Sequence, residues 1–563
     1  MSRLKNKIKG TNILSLYLSH DAAATYIDKN NKLKVLEYER FVKQRYGSFT
    51  KTMENREGLG TTDLQRRAFL EYIKEDLKGE IKLILHSDPA LNNNDEDLND
   101  KELIKEFFPN AKYLLMLHHE AHAASGFYTS NFNDAVILSF DGGGLDIEVG
   151  AKEDKEDEKI SQTTTYTKVF VGRNNTIKSV GKSNMSLGIP YGHLAKCISE
   201  IKAGPDCDEN SLVYSGKIMG LCGYGHIKEE WVKPMITYYE SGDYYGDKDA
   251  LYRLGKEIGL DLGINKIKGQ VGYDLAATSQ YVFEMFASDI IQEVINKERE
   301  LSGKFKNIIL VGGCALNVLF NQSLAKDLKK HNLELYVPAY PNDCGLALGQ
   351  FLNYTRARVT GDPYIGFDIL DRDKFDTYKK ERNAKKCDIV KLVDLIKDGK
   401  IIGILQGQSE IGPRALGNRS IICDPSIKDM KDILNSKVKF REWYRPFAPV
   451  CRLEDSETYF DDVFESKYMS FAPTVKKQYR EILPSITHID GTARLQTVKE
   501  EDHKLFYDIL TELKKRDEIP VILNTSFNMK GYPILTTIED ALKVLDETEM
   551  DYVYVEGYLF TKK

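Results

Sequence analysis

Apolar positions along the chain recur with two spacings, every second residue in some stretches and every third or fourth in others, which separates strands from helices. From Asn12 to Leu18 the sequence alternates and then runs apolar, predicting a strand. SHDAAATYI follows, then the polar turn DKNNK, then KLKVLEYERF as a returning strand. The same order recurs in AVILSFDGGGLDIEVGAKEDKEDEKI: a buried strand over Ala135 to Phe140, Asp141 among small residues, a second strand, and a charged turn from Lys152 to Lys159. A hairpin that twice presents an aspartate among small residues predicts a duplicated, two-lobed fold. An amphipathic helix is predicted between Thr61 and Lys78, a strand in IKLILHSD and a long helix from Asp274 to Lys297. KNIILVGGCALNVLFN reads as strand, Gly-Gly turn and helix, and the strand LELYVPAY leads into PNDCGLALGQ.

The pattern changes near residues 355–370, where GDPYIGFD interrupts it, so we divide the chain into 1–360 and 361–563. At 563 residues more than one core is expected. A hydrophobic content of 42% with 29% charged residues describes a soluble globular protein. The formal charge of -6 gives no global drive toward nucleic acid. Eight scattered cysteines without a C-x-x-C pair argue against zinc fingers and a disulfide framework, and fit a reducing cytoplasm. The basic start MSRLKNKIKG precedes too short an apolar run for a signal peptide or a membrane span. A cytoplasmic protein without membrane association is expected.

Candidate chemistry concentrates first in LHHEAHAASGFYTSNFNDAVILSFDGGG. On a helix His118 and His122 share a face, and Asp141 arrives at the end of the following strand. Asp343, at the next strand-to-helix junction, completes two histidines and two aspartates, a set compatible with iron, manganese or zinc. His119 and Glu120 lie on other faces and are expected to be solvated or to support the pair. Gly142 and Gly143, and Gly312 and Gly313 ahead of the helix that begins near Asn317, allow close backbone approach to a nucleotide phosphate. Close strand-helix packing also wants glycine there, and both readings can hold. Lys217 in SGKIMGLCGYG is a weaker nucleotide candidate. In the second part, cations recur among Gly, Pro and Phe: Arg414 and Arg419 in GQSEIGPRALGNRS, Lys439, Arg441 and Arg445 in NSKVKFREWYRPFAP, and Arg494 in HIDGTARLQTV. With Asn524, Ser526, Asn528 and Lys530 of ILNTSFNMKGYP they predict an anion pocket, since guanidinium and ammonium groups match phosphate geometry.

Taken in order, SHDAAA, HHEAH, SFDGGG, GKIMGL, VGGCALN, YPNDCG, GPRALGNRSI, KFREWYRPFAP, HIDGTARLQTV and NTSFNMKGYP resemble the O-carbamoyltransferases that decorate nodulation factors, cephamycins and aminoglycosides. The resemblance implies an α/β protein: a duplicated actin-like, ribonuclease-H-like ATPase domain followed by a domain similar to threonylcarbamoyl-adenylate synthases. It implies carbamoyl phosphate and ATP (with magnesium) as substrates, carbamoyl-adenylate as intermediate, and transfer to an acceptor hydroxyl in a metal-containing cleft, iron favoured. Position by position, it implies His118, His122, Asp141 and Asp343 as metal ligands and Lys439, Arg445, Arg494 and Ser526 as carbamoyl phosphate contacts. His20 is its candidate base for the acceptor hydroxyl, or alternatively a nucleotide contact. Two departures stand out. Lys530, Gly531, Tyr532 and Pro533 replace the usual Arg-Gly-Glu-Pro, and KQRYG replaces a usual Lys-His, which points to the acceptor side. A small sugar-like acceptor is expected, with a hydroxymethylated base in nucleotide or DNA as the alternative, and a homodimer is possible. A hydrogenase maturation factor would carry an acylphosphatase module and C-x-x-C zinc fingers, and a tRNA threonylcarbamoyl transferase would lack the arginine-rich second domain. A non-catalytic actin-fold ATPase would not need the paired histidines.

Overall fold

The computed structural model describes residues 12–50, 60–88, 91, 100–149, 160–183, 185–201, 212–242, 249–302 and 305–563. The charged turn at 152–159 and the basic start lie outside them. Contacts divide the chain into two compact units: residues 1–33, 48–316 and 327–361, and residues 34–47, 317–326 and 362–563.

In the first five-stranded sheet the order is β3-β2-β1-β4-β5, from β1 (Ile13–Tyr17), β2 (Ala23–Ile27), β3 (Leu33–Glu37), β4 (Leu83–His86) and β5 (Lys112–Leu115). Strand β1 is antiparallel to β2 and parallel to β4. The second sheet has the order β10-β9-β6-β7-β8, from β6 (Asp134–Val149), β7 (Ile160–Arg173), β8 (Thr176–Ser183), β9 (Asn307–Val311) and β10 (Glu334–Tyr336). Here β6 is antiparallel to β7 and parallel to β9. Read from its hairpin edge, each sheet thus runs third, second, first, fourth, fifth strand, one plan used twice.

Between the two hairpins comes the helix His118–Thr129, buried almost all round because its sequence is Ala, Ser, Gly and aromatic residues. Only small residues let it lie so close to the helix Leu346–Thr355: a Cβ on Gly349 would come within 1.9 Å of the Ala121 carbonyl oxygen. The predicted helices appear as Asp63–Asp76, with a capping box from Thr62 and Gln65, and as Gly269–Ser302.

The second unit is built on an eight-stranded mixed sheet, order β11-β20-β19-β12-β13-β18-β14-β17. Its strands are β11 (Lys385–Lys386), β12 (Ile402–Leu405), β13 (Arg419–Cys423), β14 (Ala448–Arg452), β17 (Gln496–Val498), β18 (Val521–Ser526), β19 (Tyr552–Val555) and β20 (Tyr558–Phe560). A ribbon of β15 (Phe460–Asp461) and β16 (Thr474–Val475) stands apart from it. The two-residue period sorts neighbours to opposite faces. Ile402, Ile404, Ile422, Val450 and Ile522 join one core with the helices Ile389–Lys397 and Lys504–Lys515. Leu405, Ile421, Cys451 and Leu523 join the other with the helix Ile538–Glu547. Both faces are therefore covered.

Two expectations need correction. KLKVLEYERF does not continue as a strand: β3 stops at Glu37 and Tyr38–Val42 is helical. Tertiary bonds override the apolar alternation, because buried Arg40 pairs with Glu37 at 2.7 Å and donates to the carbonyl of Gly412 at 2.7 Å. Strand β6 does not end before Asp141 but runs on to Val149, with its register to β7 shifted between Phe140 and Gly144. That irregularity is where Asp141 sits, and it turns this side chain out of the ladder.

Candidate functional site

His118 opens its helix and His122 follows one turn later, so both imidazoles face the same way. The irregularity in β6 brings Asp141 to them: His118 Nε2 lies 2.8 Å and His122 Nε2 3.2 Å from Asp141 Oδ2. Asp343, on a short 3-10 turn after Pro341, places Oδ1 3.2 Å from His122 Nε2 and 3.8 Å from His118 Nε2. All four side chains are buried, and one ligand atom from each lies within 4.8 Å of every other. Gly144 makes the crowding possible, since a Cβ there would meet the His118 ring at 2.2 Å.

The supporting bonds fix which oxygen faces inward. Asp141 Oδ1 accepts from the amides of Gly142 (2.8 Å) and Gly313 (3.1 Å), leaving Oδ2 to the histidines. The Tyr17 hydroxyl donates to Asp343 Oδ2 at 2.5 Å, leaving Oδ1 to His122. Burial opposes charge on His122, yet the bonds to Asp141 and Asp343 override it and raise its pKa to about 9. Despite its burial, the bonds from His118 and then His122 hold Asp141 well below the usual carboxylate range. Two buried carboxylates here demand positive charge, which a proton on His122 supplies in the metal-free protein and a divalent cation would supply better. Two imidazole nitrogens and two carboxylates are a donor set that iron, manganese or zinc accepts. The residues fit a metal.

His20 lies on the rim of this cluster, half-buried, with Nε2 3.6 Å from Asp343 Oδ2 and Nδ1 3.2 Å from Asp21. Burial would lower its pKa, but Asp21 and Asp343 raise it to about 9. His119 is not solvated: it is fully buried, bonded to Ser139 Oγ and to the Thr165 carbonyl at 2.8 Å each, and burial holds its pKa near 4. It supports the helix from behind. Of the glycines considered for a nucleotide, Gly142 and Gly313 aim their amides at Asp141, and Gly312 bonds the Pro341 carbonyl at 2.7 Å. Gly143 has φ 141°, and no bond from its amide is seen among the described residues. Lys217 is on the helix Leu212–Leu221, buried, its ammonium 3.3 Å from the Ile201 carbonyl. Asn317 caps the next helix, its Oδ1 accepting from Phe320 N, and residues 317–326 belong to the second unit.

The second unit gathers cations. Lys439, 4% exposed, donates to the carbonyls of Ser526 (2.6 Å) and Asn528 (2.7 Å), and also reaches Asn528 Oδ1 and Ser526 Oγ. Burial, then Arg441, Arg445 and Arg45, push its pKa well down. Arg494 is depressed by burial and by Arg414, Arg441 and Arg445, and its buried Nε has no hydrogen-bond partner among the described residues. Arg414 falls to about 10 through burial and its neighbours Arg445 and Arg45. Arg441 is held over the Phe447 ring at 4.3 Å and bonded to Asn435. Arg445 stands 3.5 Å from the carboxylate of Glu442. So many buried cations turned on one another are a group that a bound anion would stabilise.

Other candidates are spent elsewhere. Arg419 is fully buried and donates to the carbonyls of Gln406, Asn418, Gly407 and Phe367. Asn524 holds the Ala415 carbonyl and the Gln496 side chain. Asn528 accepts from Ser526 Oγ and from Lys439, and Lys530 is exposed. Sequence reasoning missed Tyr17 and Arg45. For Tyr17 the only signal is its place at the end of β1, three residues before His20. Arg45 lies in the KQRYG stretch we assigned to the acceptor side, whereas it influences Lys439 and Arg414.

A buried group that could hold a metal thus lies in one unit and a buried cluster of cations in the other. Comparison with known proteins makes this specific. Residues 99–352 match the family described as Carbamoyltransferase N-terminus and residues 393–562 the Carbamoyltransferase C-terminus. Nodulation protein NolNO of Sinorhizobium fredii is 31% identical over 79% of this chain and 63% of its own length. Nodulation protein NolO of Bradyrhizobium diazoefficiens is 30% identical over 80% of this chain and 79% of its own. A crystal structure of full-length HypF in a phosphate- and nucleotide-bound form covers 61% of this chain and 55% of that one at 13% identity, with a TM-score of 0.33. The chain belongs to the carbamoyltransferase family and is a carbamoyltransferase.

Proposed function

We propose that the protein is an ATP-dependent O-carbamoyltransferase acting in two stages, with a duplicated actin-like first part and a carbamoyl-adenylate-forming second part. The observation that carries this is the cluster of Lys439, Arg441, Arg445, Arg494 and Arg414 in the second unit, with Glu442 beside Arg445 and Arg441, together with a family assignment that supplies the carbamoyl group. Carbamoyl phosphate brings one phosphoryl group and ATP three, and the cluster supplies charge-assisted donors for both. In the first stage water cleaves carbamoyl phosphate to carbamate and phosphate. Carbamate oxygen then attacks the α-phosphorus of ATP, giving carbamoyl-adenylate and pyrophosphate. Lys439, Arg445, Arg494 and Ser526 hold the carbamoyl phosphate, and the cluster screens charge between the reacting anions.

In the second stage an acceptor hydroxyl attacks the carbamoyl carbon, its proton leaves to a base, and AMP departs. His20, on the rim of the histidine-carboxylate cluster, takes the proton in this reading from its neutral form, which a divalent cation held beside Asp343 would favour over the protonated form of the metal-free protein. His118, His122, Asp141 and Asp343 hold the metal, which when bound supplies Lewis-acid stabilisation of developing negative charge. Gly143 follows Asp141 by two residues, and the turn at Gly312 stands beside it through the Gly313 amide, so in this reading both line the nucleotide. Among the described residues no helix is long and apolar enough to cross a membrane.

The acceptor we favour is a small hydroxylated, sugar-like molecule, because the net charge of -6 offers no general attraction for nucleic acid. The test is transfer of label from carbamoyl phosphate, with ATP, to a panel of sugars, nucleosides, nucleotides and hydroxymethylated DNA. Label only in small sugars supports the reading. Label in DNA that fades with rising salt establishes the nucleic-acid acceptor instead.

A further inference from the structure

Outside the cation cluster itself, the loop that carries Arg414 is held by two buried acids that the reaction scheme does not use: Glu37, which accepts from the Gly412 amide at 3.3 Å, and Glu410 within the loop itself. We infer that Glu410 is the positioning residue that holds Arg414 toward the anion site, an inference that rests on the anion-pocket reading above. Arg414 has no hydrogen-bond partner for its guanidinium among the described residues, and it faces the like charges of Arg445 and Arg45. A long side chain so placed swings away from its neighbours unless the backbone beneath it is fixed.

That backbone is fixed on both sides of residue 414. The Glu410 side chain is fully buried, and its Oε1 alone accepts from the amides of Leu416 (2.5 Å), Gly417 (3.2 Å) and Arg419 (3.4 Å). The loop thereby closes on itself, with Arg414 midway between Glu410 and the amides it gathers. The carbonyls are taken too: Arg40 holds those of Glu410 and Gly412, Asn524 that of Ala415, and Gln496 and Tyr364 that of Leu416. Three converging amides form a small anion nest, which an acid from the loop itself fills. Arg414 is the polar side chain this closed loop leaves for a ligand.

The inference turns on reach rather than charge. Glu410→Asp withdraws the carboxylate by one methylene and cannot serve three amides without moving the loop, whereas Glu410→Gln keeps both the length and an acceptor oxygen. Inorganic phosphate binding is measured calorimetrically on the full chain for wild type, E410D, E410Q, R414A and E410D/R414A. We expect R414A to bind about tenfold more weakly, E410D to weaken by a comparable factor, and the double variant to be no weaker than R414A, since one residue acts through the other. E410Q should stay within about twofold of wild type. Wild-type affinity in E410D, losses that multiply in the double variant, or weak binding by E410Q in a folded protein would each overturn the inference. Should E410D not fold, E410A, which removes the acceptor oxygens altogether, takes its place: it should weaken phosphate binding by a comparable factor, and wild-type affinity in it would overturn the inference. Wild-type affinity in R414A would instead remove Arg414 from the anion pocket, a failure of the underlying reading that the glutamate variants do not mimic.

Discussion

Replacing Lys439 by methionine isolates the work of the cation cluster, because methionine keeps an unbranched apolar stem and removes the ammonium. Without an anion, two effects oppose each other. The bonds to the Ser526 and Asn528 carbonyls, 2.6 and 2.7 Å long, are charge-assisted, and each such bond stabilises by about 1.5–3 kcal/mol. The ammonium is also buried among Arg441, Arg445 and Arg45, and two like charges about 6 Å apart at an effective dielectric near 20 repel by about 3 kcal/mol. Losing the two bonds costs about 3–6 kcal/mol and relieving one such repulsion returns about 3 kcal/mol, so the anion-free melting temperature should fall by at most about 12 °C. With phosphate the balance is different. A concentration of about 100 times Kd stabilises wild type by about 2.7 kcal/mol, and a variant binding about tenfold more weakly keeps about 1.4 kcal/mol. Differential scanning calorimetry at low ionic strength, with phosphate titrated against chloride, reads both quantities. A Lys439→Met protein with the full wild-type phosphate shift would refute the reasoning, as would an anion-free protein too unstable to compare.

Three further outcomes are expected. Elemental analysis should find a divalent transition metal in wild type and little in the His118→Ala/His122→Ala variant, and equal metal in both would remove the site. Gly144→Ala should destabilise by about 1–3 kcal/mol through overpacking and lower metal content with it, because its Cβ lies 2.2 Å from the His118 ring; unchanged metal content would mean the ring is free to move. In anion-free protein Lys439 titrates below its ordinary value, chiefly from burial and then from the neighbouring arginines. Between that depressed value and about 10.4 the unfolded chain binds more protons than the native one, so stability rises with pH. Phosphate should flatten that rise, and an equally steep rise in Lys439→Met would assign it to other groups.

How far the sequence disclosed this protein depended on whether a feature was local. The His118 and His122 pair follows from helical periodicity, and the helix forms at His118–Thr129. The two hairpins follow from alternation, and both sheets carry them at corresponding places. The turn into helix at Tyr38 was not legible, because Arg40 is fixed by carbonyls of residues 410 and 412, far along the chain. The break in β6 was hidden for a related reason: apolar alternation identifies the strand, while the register shift comes from what pairs with it. Arg414 and Arg419 look alike in sequence, yet one guanidinium is spent on four carbonyls and the other on none among the described residues. Only the folded loop tells them apart. Tyr17 lies 326 positions from Asp343, and no spacing rule connects them.

The central claim is that activation of the carbamoyl group and its transfer are separate tasks of the cation cluster and the histidine-carboxylate cluster. Pyrophosphate release from ATP, measured with and without carbamoyl phosphate in wild type, Lys439→Met and His118→Ala, tests it most directly. The account predicts release only when carbamoyl phosphate is present, at near wild-type rate in His118→Ala although that variant carbamoylates no acceptor, and abolished in Lys439→Met. Release without carbamoyl phosphate, or equal loss in both variants with their folds intact, would contradict it.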